Sequence, residues 1–266
     1  MKKTVLLSLL VALALFFPTR ISYAASQTAY QDYVFQFDQY RQLFNNFRIA
    51  LGQYQQFNSL ESQQDALDKA KLAIGQRDIV GRTYLLFLNE KLTENPGLLT
   101  SETVLNRTLI TNEIGYLDGH STLVQSISSM EDVEKSSQDF SKHYPLMIAG
   151  IRQTIIAIQL GYLNYFATQF EQAAKEAQTL IGISRAQVAP VKQAALDRWL
   201  LEISNKRNLY QQKSTAIHAA AFKLSGDDME QSRKYSAIQT DLAIARQYIV
   251  EGTSFLNELG NALKYQ

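Results

Sequence analysis

Asp139 and His143 stand four residues apart, a spacing that puts both on one face of a helix. A carboxylate beside an imidazole can fix its tautomer, or the two can ligate a metal. Catalysis or metal binding needs a third group to converge on such a pair. The two other histidines, His120 and His218, fall on different expected helices. The pair therefore reads as a surface ion contact beside Pro145, and His218, next to Ala219-Ala220-Ala221, as a packed helix residue.

Two acidic clusters, Glu131-Asp132-Glu134 and Asp227-Asp228-Glu230, could suggest calcium. Calcium takes six to eight oxygens from a shaped loop. These clusters lie where helices are expected to begin, and carboxylates there favour the helix dipole and cap its first amides. Gly182-Ile183-Ser184 opens like a nucleophile elbow, but Ala186 stands where that motif needs glycine. Asn106-Arg107-Thr108 has the form of a glycosylation acceptor and reads as chance in a helix. Dinucleotide, P-loop, zinc-protease and EF-hand patterns are missing from the sequence. The reading assigns no catalytic residue, cofactor-binding residue or metal ligand, and no cofactor.

Three residues instead point to contact with another molecule. Over residues 28–57, Tyr30, Tyr33, Val34, Phe37, Tyr40, Phe44, Phe47, Leu51 and Tyr54 share a helical arc of about 160°. That width predicts packing against two neighbouring helices. Phe35, Ile49 and Phe57 project away from the arc. Apolar residues off the main stripe are either wrapped by neighbours or meet a partner, and these three are the candidate partner contacts.

The elements that position these residues are all helical. Glutamine, alanine, leucine, glutamate and lysine dominate, and the apolar period is three to four residues throughout. Helices are expected over 28–57 and on to about 93, with a turn at Asn58-Ser59-Leu60-Glu61 read as an Asn58 cap with Glu61 reaching back. One unbroken helix over 28–93 is the alternative. Glu94-Asn95-Pro96-Gly97 is a stop. A third helix spans about 101–129, and a helical stretch runs from the acidic segment to Pro145, which either kinks a long helix or starts a new one. Residues 146–181 are apolar round most of their girth, with Gln153, Asn164 and Glu171 in a narrow polar arc. Such a helix is surrounded, so it is expected to be the central helix, closed by Gly182. A fifth helix runs from Pro190 to about Leu224. The last, capped by Asp227 with Glu230, carries a coiled-coil-like seam of Tyr235, Ile238, Leu242, Ala245, Ile249, Gly252, Leu256, Leu259 and Leu263. The expected fold is all-α: an up-and-down bundle of about six long antiparallel helices in one domain, 25–266, with a weak alternative boundary near 131–145.

Composition narrows the setting. Met1-Lys2-Lys3, an apolar run from Thr4 to Phe17, and Ser22-Tyr23-Ala24 form an export signal over 1–24, of bacterial type. Its apolar core of about 14 residues is short of the roughly 20 that span a bilayer, so an uncleaved anchor is the lesser reading. Processing removes Lys2, Lys3 and Arg20 and no acid, leaving 23 basic and 25 acidic residues in 242. A net charge of −2 makes no case for nucleic acid or an anionic membrane. The absence of cysteine rules out disulfides, thiolate chemistry and the lipoprotein anchor. Arg152, Gln153, Gln159 and Asn164 interrupt the most apolar later stretch, 145–166, so no stable membrane span is expected after processing. The leading expectation is an exported, extracytoplasmic, non-enzymatic bundle acting through protein–protein contact or self-association: a scaffold, an adaptor or an envelope-associated structural protein. The alternative is a small-molecule-binding or sensor bundle with a pocket between the first and fourth helices.

Overall fold

A computed structural model describes residues 24–184 and 190–264. The expected signal therefore lies outside the described residues, except for its last residue, Ala24. Six helices follow in order: α1 (Ala24–Phe57), α2 (Leu60–Thr93), α3 (Thr100–Gln125), α4 (Met130–Ser184), α5 (Pro190–Ala221) and α6 (Met229–Lys264). The described residues contain no strand. The expected all-α bundle is observed.

Residues 28–93 form two helices, and the break has a local cause. Asn58 takes a left-handed conformation, φ 49°, which asparagine tolerates better than most residues. Ser59 then caps α2: the Ser62 amide donates to Ser59 Oγ, and the Ser59 amide donates to Ser62 Oγ, both at 3.2 Å. The cap is thus Ser59 with Ser62, not Asn58 with Glu61. The start of α6 is shifted in the same way. Asp228 Oδ1 accepts the Gln231 amide at 2.8 Å, while Asp227 pairs with Arg152 and Glu230 with Lys234. The acidic start of α4 behaves as expected. Asp132 Oδ2 accepts the amides of Ser128 and Ser129, each at 3.0 Å, and these bonds hold its carboxyl below the usual range.

The central helix is longer than its sequence pattern suggested. Pro145 lies inside α4, which runs unbroken through 55 residues, or about 80 Å. Gly182 does not end it. Because α4 exceeds its neighbours, it joins two large cores, besides a smaller one near its start where Val133 packs with Leu67, Ala70 and Ile74 of α2. Along its first half, Met147 and Ile158 pack with Leu85, Leu88 and Leu92 of α2 and Ile110 and Leu117 of α3. On another face, from Ile156 onward, Ile156, Leu160, Phe170 and Ile181 pack with α5 and α6, including Ile203, Ile217, Leu242 and Leu259. The α6 seam from Tyr235 to Leu263 faces this second core.

The polar arc of α4 has partners too. Gln153 Nε2 donates to Leu224 O at 2.8 Å, Tyr210 donates to Asn164 Oδ1 at 2.6 Å, and Glu171 meets Arg207 at 3.5 Å. The arc is a docking strip for α5 and the turn after it. By length and composition α4 could cross a membrane, and a third of its most apolar window is buried within the protein.

Three glycines, Gly97, Gly161 and Gly252, permit close approach. A Cβ on Gly97 would stand 1.9 Å from Gly161 O, and one on Gly252 would stand 2.5 Å from the Phe170 ring. The Asn95-Pro96-Gly97 turn therefore does more than stop α2. It seats Asn95 so that Nδ2 donates to Ile158 O at 2.7 Å.

Candidate functional site

The helix α1 packs chiefly on α2. Its inward residues step by four and three: Ala29, Tyr33, Gln36, Tyr40, Leu43, Phe47, Ala50 and Tyr54. The ring centroids of Tyr33 and Tyr84 lie 5.0 Å apart, and Gln76 Nε2 donates to Gln36 O at 3.1 Å. Only half of the aromatic arc is used in this seam. Tyr30, Val34, Phe37 and Phe44 remain 38–45% exposed, so the arc meets one helix rather than the expected two. The three residues off the arc are more open still: Phe35 is 58% exposed, Ile49 55% and Phe57 64%.

Behind α2, the structure gathers a polar cluster that spacing could not reveal. Asp78 of α2 and His120 of α3 are 1% and 5% exposed, and Asp78 Oδ2 lies 2.6 Å from His120 Nδ1. His120 Nε2 lies 3.0 Å from Ser136 Oγ and 3.2 Å from Ser136 O, on α4. Arg77 sits 3.3 Å from the other Asp78 oxygen and 3.5 Å over the Phe140 ring. Next to this, the Tyr116 and His143 rings stack at 3.5 Å, and His143 Nε2 meets Glu113 Oε2 at 2.7 Å.

An acid–imidazole–hydroxyl series can relay a proton. The Ser136 carbonyl decides how this one is used. A general base needs a lone pair at Nε2, but a carbonyl oxygen facing that atom repels a lone pair and attracts N–H. Contacts to acceptors at both ring nitrogens favour the doubly protonated, charged imidazole between Asp78 and α4. The same contacts raise its pKa: the bond to Asp78 is the largest cause, opposed by burial and reinforced by the Asp78 charge and the Ser136 carbonyl. Arg77 opposes the proton weakly. The cluster thus works as a charged clasp joining α2, α3 and α4.

The expected Asp139–His143 pair does not form. His143 turns to Glu113 on α3, and Asp139 pairs with Lys142. Nor is His218 packed away: its side chain is 46% exposed and faces Glu102 at 3.4 Å. It rims a narrow cleft lined by Leu105, Asn106, Ile156, Leu160 and Phe222, with about 30 Å³ of free space. That cleft lies between α3, α4 and α5, not between the first and fourth helices. Asn106 is buried, and its amide donates to Glu102 O, so it is no open acceptor. No group of three metal-ligating side chains occurs among the described residues. The signal for the Asp78–His120 contact was a carboxylate and an imidazole at core positions of two successive helices, which periodicity alone does not pair.

Comparison with protein-family models, with curated proteins and with solved structures gives no match.

Proposed function

We propose that this protein is an exported helical bundle that acts by contact, holding another protein against the outward face of α1, and that it catalyses no reaction. The observation that carries the reading is the exposure of Phe35, Ile49 and Phe57 on a helix whose packing seam is already filled by other residues. Phenylalanine and isoleucine on such a surface cost solubility without helping the fold, and central apolar anchors of this kind carry most of the energy of protein interfaces. The narrow cleft beside His218 is too small for a drug-sized ligand, which needs several hundred cubic ångströms.

Export places the working molecule outside the cytoplasm, beginning at Ala25, with no need of disulfides to hold it. A scaffold or envelope-associated role fits a long rigid helix pair. The test is site-specific crosslinking in the producing cell, with a photoreactive residue at 35 or 49. A discrete crosslinked product with a second protein is expected, weakened for the probe at 49 by Phe35→Ser and for the probe at 35 by Ile49→Ser. Absence of a product at both positions, with the same probe working at a control site, would overturn it.

A further inference from the structure

We infer that α1 also pairs with α1 of a second copy of this chain, in antiparallel register, through a stripe that α2 leaves largely exposed, although Tyr30 at one end touches Phe87 of α2, ring centroids 5.4 Å apart, and Leu51 near the other is half-buried. The inference rests on the reading that α1 is the contact helix, but it uses different residues. From Tyr30 to Gln55 the stripe advances by alternate steps of four and three: Tyr30, Val34, Phe37, Arg41, Phe44, Arg48, then Leu51 and Gln55. That is a seven-residue repeat, and it lies about 90° round the helix from the seam on α2. It is about 38 Å long.

The order of residues on the stripe fixes direction and register. Apolar rings and Leu51 hold one set of positions; Val34, Arg41, Arg48 and Gln55 hold the other. In a parallel pair each position meets itself, so Arg41 meets Arg41 and Arg48 meets Arg48, like charges in contact. In an antiparallel pair the two sets face each other. One register then places Phe37 against Arg48 of the second copy, Phe44 against Arg41, Val34 against Leu51 and Tyr30 against Gln55. Each guanidinium lies on a phenylalanine face, where cation–π attraction and the arginine stem both contribute. The two Arg41 layers flank the symmetry axis, and each brings its own carboxylate, Asp38, at 3.7 Å. The contact is self-complementary, as a two-fold interface must be. Phe35 and Ile49 lie a further 100–140° round the helix and stay outward, so a dimer would show two copies of the partner face.

The chain has no cysteine, so introduced thiols give an unambiguous test. Val34→Cys and Leu51→Cys variants of the mature protein are made separately, mixed and oxidised. The register predicts that the mixed 34–51 disulfide dominates and that neither variant links to itself efficiently. Sedimentation of the unmodified chain should show a concentration-dependent dimer, and Arg41→Glu with Arg48→Glu should weaken it at least tenfold while leaving the helical spectrum intact. Preferential 34–34 or 51–51 linkage would contradict the antiparallel register and overturn the inference. A monomer at all concentrations, or binding of phosphatidylglycerol vesicles in place of dimerisation, would overturn the inference. None of those outcomes touches the partner crosslink at 35 and 49, and loss of that crosslink would leave the 34–51 disulfide standing.

Discussion

Asp78 and His120 meet at 2.6 Å where neither side chain has appreciable contact with water. An ion pair so placed is costly to half-remove, because the survivor stays buried and charged. His120→Ala should cost about 3–5 kcal/mol in chemical unfolding, near the lower end because Arg77 still neighbours Asp78. Asp78→Asn with His120→Gln removes both charges and should recover part of the loss. A cost under about 1 kcal/mol for His120→Ala would mean that the clasp contributes little.

The clasp also sets a pH dependence. The folded pKa of His120 lies above its ordinary 6.5. Its stabilisation is then fully present below 6.5 and is lost as pH rises through the folded value. Deprotonation would leave a lone pair facing the Ser136 carbonyl and loosen α4 from α3. Thermal midpoints measured from pH 6 to 9 should fall more in the unmodified protein than in the doubly neutral variant. Parallel curves for the two would contradict the assignment of a charged imidazole.

Close approach at two glycines predicts unequal costs. In Gly97→Ala the new methyl meets the Gly161 carbonyl, which is helix backbone and cannot step aside. The loss should exceed about 3 kcal/mol, the upper range for overpacking. In Gly252→Ala the obstacle is the far edge of the Phe170 ring. That loss should be about 1–3 kcal/mol, partly offset by alanine's better helix propensity, and Phe170→Leu should relieve it. Unfolding curves of the three variants decide the point.

Helix type and the core seams were legible because burial leaves a period in the chain. The α6 seam faces the second core along its whole length, and the girdle of α4 made it the helix that four others touch. What failed was of two kinds. Caps slipped by one residue at Ser59 and Asp228, since neighbouring Asn, Ser and Asp can all cap and only backbone geometry chooses among them. Pairings between helices were hidden: Asp139 is the sequence neighbour of His143, yet Glu113 is its partner, 30 residues away. The width of the α1 arc was legible, but its occupancy was not. A stripe awaiting a second helix and a stripe awaiting another molecule have the same periodicity.

The most direct measurement is the unfolding free energy of the mature protein carrying Phe35→Ser, Ile49→Ser and Phe57→Ser together. If these side chains face a partner and not the core, stability should stay within about 0.5 kcal/mol per substitution. Co-purification of the partner with the mature chain should be lost at the same time. A loss in the triple variant larger than those three small costs by about 2 to 5 kcal/mol, the size that follows truncation of one buried residue, would place at least one of these side chains in the fold and remove the basis for a contact function.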